Sequence, residues 1–224
     1  MIKLLVFDWD DVIILGAKEG YYVCYRETLK EFGIVFSEEE LHRRIQRKWG
    51  QPFREELEEL LIEHPELLKK ACEVYEKKFW GDTFLRALKE VEGANTVLET
   101  LSRTYILAVA TGNHPRMLSE KIMPSFRIPN VFRQILTAFD VPPARMKPHP
   151  YMLETIMNTQ GVSSDETLYI GDAANDVLMA QRAHVEPIVV LTGHLTRMQA
   201  EQLGVKTIIP TVTDLPGILA SRMA

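Results

Sequence analysis

The chain is short of the features that define several common protein classes. Among its 224 residues are only two cysteines, Cys24 and Cys72. Neither sits in a CxxC or Cys–His spacing, so the sequence offers neither a disulfide framework nor a zinc site. Both fall in helical patterns and read as reduced packing residues. No apolar run approaches the ~18 residues that a membrane helix needs. The opening MIKLLVF meets acidic residues at once, unlike a signal peptide. Basic residues are in the minority, 26 Lys and Arg against 31 Asp and Glu, for a net charge of -5. A broad basic surface for nucleic acid is therefore not expected. There is no internal repeat and no low-complexity tract. These absences leave a globular protein expected in the cytoplasm, with no membrane and no nucleic-acid partner.

What is present is enough for a core. Hydrophobic residues make up 46%, and the length suits one large domain or two unequal ones. The first apolar run, Leu4-Leu5-Val6-Phe7, is short and strand-like. After it the texture is helical. Apolar positions recur at helical spacing over residues 18–32, with Tyr21, Tyr22 and Tyr25 among them. Ser37 followed by Glu40 marks a capping box for a helix to about Trp49. Gly50-Gln51-Pro52 breaks the chain, and charged helical patterns resume over residues 53–63 and 65–79. No strand is expected in this block.

Beyond Leu101 the texture changes. Compact apolar runs at residues 105–110, 133–137, 167–170, 187–191 and 206–209 alternate with helical patterns near 116–121, 151–159, 175–182 and 197–203. Short, fully apolar strands alternating with helices predict a parallel sheet covered on both faces. The plan is thus one α/β core, interrupted after its first strand by a helical insertion of about 70 residues. In such sheets ligands bind at the carboxyl ends of the strands. Asp8 and Asp10 follow the first strand, Thr111 follows the second, and Asp172 follows a later one.

Taken singly, each of these residues has an ordinary explanation. An Asp after a strand is commonly a turn residue or a helix cap, a Thr there is commonly an N-cap, and a lone Lys is usually solvated. Together, and in this order, they resemble the four motifs of the haloacid dehalogenase superfamily. Asp8-Trp9-Asp10 stands at the first motif and Thr111 at the second. Lys147, in KPHP, stands at the third, and Gly171-Asp172 with Asp176 stands at the fourth, GDxxxD. The resemblance implies an α/β fold: a Rossmann-like parallel-sheet core, residues 1–15 and 88–224, carrying an inserted all-helical cap, residues 16–87. The look is closest to phosphoglycolate phosphatase-like members with a small helical cap, and it implies a small phosphate ester as substrate.

The residue types suit that chemistry in their own right. A carboxylate, Asp8, can attack phosphorus and form an acyl phosphate. Its approach to an anionic phosphate requires neutralising charge. Mg²⁺ fits the hard oxygen set of Asp8, Asp172 and the Asp10 backbone carbonyl. Lys147 supplies fixed positive charge. Thr111 offers a hydroxyl, and the backbone N–H groups of Gly112 and Asn113 are expected to face phosphate oxygens. Asp10 is placed for general acid and base work, and Asp176 for orienting Lys147 or a metal-bound water. An acid at Asp10 favours phosphate esters, since the dehalogenase and phosphonatase branches lack it. A phosphomutase of the same superfamily, and a catalytically silent phosphate- or metal-binding regulatory protein, are the alternatives.

Two positions depart from the family pattern, where the first motif continues Asp-Gly-Thr. Asp11 replaces the glycine, at a turn where Asp tolerates left-handed geometry. It is expected to face solvent or cap the turn. Val12 replaces the hydroxyl residue. His184 stands where glycine is usual and should have only a local effect, and His149 reads as a loop residue. Within the insertion, Gln51 and Arg54 are the candidate contacts to the leaving group. The three tyrosines are expected mainly in its core, and hinges are expected near residues 15–16 and 83–88. Nothing in the sequence sets the oligomeric state.

Overall fold

A computed structural model describes residues 1–48 and 52–222. The chain divides into two compact units, Met1–Leu15 with Lys89–Ala224, and Gly16–Leu88. It opens on strand β1 (Leu4–Phe7), followed by a tight turn and the two-residue strand β2 (Ile14–Leu15). Five helices follow: α1 (Ala17–Lys30), α2 (Glu38–Gln46), α3 (Phe53–Leu60), α4 (Leu68–Trp80) and the short α5 (Asp82–Leu85). Strand β3 (Lys89–Glu90) then pairs antiparallel with β2. The remainder alternates: α6 (Ala94–Ser102), β4 (Ile106–Thr111), a π-helical turn (Met117–Ile122) running into α7 (Met123–Ser125), and β5 (Phe132–Thr137). Then come α8 (Tyr151–Gln160), β6 (Thr167–Gly171), α9 (Ala174–Arg182), β7 (Glu186–Val190), α10 (Arg197–Gln202), β8 (Thr207–Ile209) and α11 (Leu215–Ser221).

Six strands form one parallel sheet in the order β5-β4-β1-β6-β7-β8. The central β1 pairs with β4 through Leu4↔Ile106 and with β6 through Leu4↔Thr167. Its four residues are fully buried, as a strand covered on both faces requires, so apolar character runs without alternation. Leu4 and Val6 pack with Met152, Leu153 and Ile156 of α8 and Met179 of α9. Each such side chain contributes roughly 1.5–3 kcal/mol by leaving water. The strand order brings the carboxyl ends of β4, β1 and β6 side by side, the position where open α/β sheets bind ligands.

The helical unit packs around aromatic side chains. Tyr22 and Tyr25 are fully buried. Tyr25 stacks on Tyr75 at 4.6 Å, Tyr75 on Phe53 at 4.9 Å, and Tyr21 on Phe79 at 5.9 Å. Tyr22 and Tyr25 are therefore core residues of this unit, as their helical spacing predicts, while Tyr21 is partly exposed. Ser37 Oγ accepts the Glu40 N–H at 3.2 Å, capping α2. That helix ends at Gln46, short of the predicted Trp49. Trp49, Gly50 and Gln51 lie outside the described residues. Cys24 and Cys72 are free thiols. Several elements have no counterpart in the sequence reading: α6, α11 and the β2–β3 pair. Helix α5 occupies part of the expected second hinge, and the division between units falls at Leu88/Lys89. Among the described residues no helix is long and apolar enough to cross a membrane.

Candidate active site

The acid-rich turn after β1 is set by backbone bonds. Asp8 N–H donates to Ile170 O on β6 at 2.8 Å, which ties the strand end to its neighbour. Asp11 takes φ 56°, the left-handed region that Asp adopts more readily than most residues. Its N–H donates to Ile14 O at 2.6 Å, and its carbonyl accepts from the Thr192 hydroxyl. Val12 is fully buried beneath this turn. Asp11, expected to face solvent or cap the turn, lies within the turn and is only partly exposed. Asp11 is half-buried and lies in a grouping with Asp172 and His194 whose potential ligand atoms are within 4.8 Å of one another. The Asp11 conformation is the one its replacement of glycine requires.

Lys147 arrives from the connection between β5 and α8 and enters the acid cluster. Its ammonium donates to Asp8 Oδ1 at 2.8 Å, to Asp176 Oδ1 at 2.8 Å and to the Tyr169 hydroxyl at 2.7 Å. All three donor positions of the amine are thereby used. Asp176, 1% exposed, is the organising acid. Its Oδ1 accepts from Lys147 and from Tyr169 at 2.9 Å, while its Oδ2 accepts the N–H groups of Asp172 at 3.2 Å and Ala173 at 3.1 Å. Asp172, also buried, accepts His194 N–H on Oδ2 at 2.9 Å. Asp8, Asp172 and Asp176 bring potential ligand atoms within 4.8 Å of one another.

Two glycines make this approach possible. A Cβ on Gly171 would stand 2.6–2.7 Å from the Asp176 side chain, and one on Gly193 would stand 1.9 Å from Asp172 Oδ2. Neither position has room for a side chain. The glycine of the fourth motif is thus explained by the carboxylate four residues beyond Asp172.

The electrostatics of the cluster call for positive charge. Burial, opposed by Lys147 and reinforced by the charge of Asp176, pushes Asp8 up to about 6. Burial and the charges of Asp176 and Asp8 push Asp172 up to about 9. Burial and the charges of Asp8 and Asp11 push Asp10 up to about 8. Asp176 resists its own burial because Lys147 holds it below the usual carboxylate range. Lys147, although buried, is held well above its ordinary value by Asp176 and Asp8. Three carboxylates around one ammonium form a hard oxygen set, and it suits a small divalent cation.

Thr111 ends β4 fully buried, and Gly112 is exposed beside it. No heavy atom beyond its chain neighbours lies within 4 Å of a Cβ built on Gly112, so the space on its side-chain side is open. Asn113 behaves otherwise. Its N–H, expected to face phosphate, donates to Thr111 Oγ1 at 3.1 Å. Its side chain donates to Asp10 Oδ1 at 3.0 Å. Asp8, Asp10, Thr111, Lys147, Asp172 and Asp176 all belong to the α/β unit and sit at or beyond adjacent strand ends. Arg54 lies on α3 of the helical unit, mostly exposed, paired with Glu58 at 3.3 Å. Gln51 is outside the described residues. His149 is an exposed loop residue that accepts the Tyr151 N–H on Nδ1, and His184 takes φ 57° in the glycine-like position after α9.

The sequence reading missed Tyr169 and the side-chain role of Asn113. Tyr169 is a buried strand residue with no local motif; only its tertiary contact with Lys147 marks it. Gly193 carried a weak signal, as a glycine shortly after an apolar run.

Comparison with known proteins places the chain in a family. Residues 5–190 match the family model described as haloacid dehalogenase-like hydrolase. A phosphoglycolate phosphatase from Haemophilus influenzae is 28% identical over 106 residues, 47% of this chain and 46% of that relative, so the match spans about half the length of either. A phosphorylated carbohydrates phosphatase from Thermotoga maritima is 27% identical over 84% of both chains. The crystal structure of a predicted phosphoglycolate phosphatase from Haemophilus somnus superposes with a TM-score of 0.78 at 20% identity, covering 97% of this chain and 98% of that one. With the family model spanning both halves of the sheet and the insertion between them, the chain belongs to the haloacid dehalogenase-like hydrolases.

Proposed function

We propose that the protein is a Mg²⁺-dependent phosphatase that hydrolyses small-molecule phosphate monoesters through an aspartyl-phosphate intermediate. The observation that carries this reading is the contrast between Asp8 and Asp10. Asp8 is bonded to an ammonium, which opposes the rise that burial gives its carboxyl and favours the charged form. Asp10, two residues on, lacks that bond, and burial with the charges of Asp8 and Asp11 pushes its carboxyl up to about 8, which favours the protonated form. Two carboxyl groups driven apart in this way divide the work of nucleophile and acid.

An Asp8 oxygen attacks phosphorus as the ester oxygen leaves. Asp10 delivers its proton to that oxygen and then takes one from the water that cleaves the aspartyl phosphate. On substrate binding a phosphate oxygen takes over the Lys147 donor that Asp8 holds in the free protein, and the Thr111 hydroxyl and the Gly112 N–H join it. Asp176 holds Lys147 in place through the 2.8 Å bond. Asp8, Asp172 and the Asp10 carbonyl would hold Mg²⁺, which supplies neutralising charge for the phosphate when bound. The helical unit, residues 16–88, is the cap in this reading, with Arg54 a contact to the leaving group.

The test is release of inorganic phosphate from phosphoglycolate, sugar phosphates, nucleotides and p-nitrophenyl phosphate, with Mg²⁺ and with EDTA. Metal-dependent release is expected from at least one ester. Asp8→Asn should lower it at least about a thousandfold while the protein still melts cooperatively. Wild-type turnover in Asp8→Asn would rule out the covalent route. No release from any ester by folded, Mg²⁺-binding protein would transfer the assignment to a mutase or a binding protein.

A further inference from the structure

Asn113 is 1% exposed and belongs to no step described above. Three hydrogen bonds fix it. Its N–H donates to Thr111 Oγ1 at 3.1 Å, its Oδ1 accepts His114 N–H at 2.9 Å, and its Nδ2 donates to Asp10 Oδ1 at 3.0 Å. The second bond settles which way the amide points. A backbone donor claims the oxygen end, so only the NH₂ end is left for Asp10. The donor therefore meets Asp10 at one particular oxygen.

That choice has a chemical consequence. A protonated carboxyl group accepts a hydrogen bond better on its carbonyl oxygen than on its hydroxyl oxygen. With Oδ1 receiving the amide, the proton belongs on Oδ2. We infer that Asn113 is a positioning residue that fixes the rotation of Asp10 and confines its transferable proton to Oδ2. The inference rests on the reading of Asp10 as acid and base. In the first half-reaction the bond from phosphorus to the ester oxygen breaks as a bond forms to Asp8. The Oδ2 proton passes to the ester oxygen, leaving a free alcohol and the Asp10 carboxylate. In the second half-reaction a water oxygen bonds to phosphorus, its proton goes to Asp10 Oδ2, and the bond between Asp8 and phosphorus breaks. Without the amide, Asp10 rotates and presents its proton to the leaving group only part of the time.

The experiment compares two esters in the Mg²⁺-loaded enzyme. Glycerol 2-phosphate leaves as an alkoxide and needs a proton; p-nitrophenyl phosphate leaves as a stable phenolate and does not. Asn113→Asp keeps the shape and removes the donor, and Asn113→Ala removes the whole group and carries the comparison if the first variant does not fold. The expected result is a loss in kcat/KM of about 30-fold or more for glycerol 2-phosphate and less than about threefold for p-nitrophenyl phosphate. Equal losses on both esters, or none on either, would overturn the inference, since a merely structural residue does not sense the leaving group. Asp10→Asn, measured alongside, separates the two levels of argument. If it too strikes both esters equally, the role given to Asp10 fails. If it is selective and the Asn113 variants are not, only the positioning role fails. Wild-type protein that turns over neither ester would sink both.

Discussion

The two units of this chain carry charge in opposite ways. In the helical unit, Lys30 pairs with Glu27 at 2.8 Å, Arg26 with Glu38 at 2.9 Å, Arg47 with Glu59 at 2.6 Å and Arg54 with Glu58 at 3.3 Å. Each of these pairs has at least one side chain well in contact with water. Such pairs are worth about 0–1 kcal/mol each, and the helices are held by the buried tyrosines beneath them. In the α/β unit, one ammonium stands between Asp8 and Asp176, with Asp172 close by, and all four groups are largely out of water. No member of that set is neutral to remove. A helix surface can lose a charge and stay balanced; a buried cluster is balanced only as a whole.

Removing the cation is the harshest way to break this comparison. Lys147→Met keeps the length of the side chain and deletes its charge, leaving Asp8 and Asp176 facing each other. A buried pair broken on one side costs about 3–5 kcal/mol. Chemical denaturation in EDTA should show a loss of that size, partly restored by Mg²⁺, and phosphate release should vanish. A loss below about 1 kcal/mol would mean that the cluster is solvated like the helical surface.

This contrast also explains what could be read from the sequence. The central strands announce themselves because a strand buried on both faces is apolar along its length; Leu4 to Phe7 and Leu168 to Ile170 are such runs. The site residues were legible because a parallel sheet leaves its chemistry just past the strands, at fixed offsets from those runs. Asp11 was legible in conformation, as a tolerant substitute for glycine, but not in its surroundings, because the Thr192–His194 loop that meets it lies 181 residues away. Tyr169 was invisible for the same reason: its hydroxyl matters only because Lys147 reaches it across 22 residues. Helix α6 and helix α11 went unrecognised although they are no shorter than α10, which was read, so length alone does not explain the omission. Helix α6 packs on β4, and both helices pack on the turn at Val212–Asp214.

A gentler test titrates the cluster instead of cutting it. Asp8 and Asp172 have folded values raised to about 6 and about 9, from an ordinary value of 3.8, because burial penalises their charge. A raised carboxyl favours the protonated folded state. Its contribution is full below about 3.8 and is lost as pH climbs through 6 and then 9. Asp176 runs the other way and keeps its contribution above the usual carboxylate range. Metal-free protein should therefore lose on the order of 5 °C in melting temperature between pH 5 and pH 9. Mg²⁺ should flatten that slope by supplying the missing charge. A metal-free melting temperature that stays level over this range would contradict the account of the cluster.

The smallest effect is expected on the helical side, at Arg54. Its partner Glu58 is half exposed and one helical turn away, so Arg54→Ala should change stability by about 0.5 kcal/mol or less. Thermal melting of the two proteins should nearly coincide. Catalysis is the finer readout. A guanidinium that meets an anionic leaving group contributes to binding a substrate with a second negative charge and not to one without. Under the proposed cap role, Arg54→Ala raises KM several-fold for phosphoglycolate and leaves it unchanged for p-nitrophenyl phosphate. Equal KM shifts on the two esters, or none on either, would return Arg54 to the solvated helix surface, where its removal costs the exposed pair with Glu58 and little else.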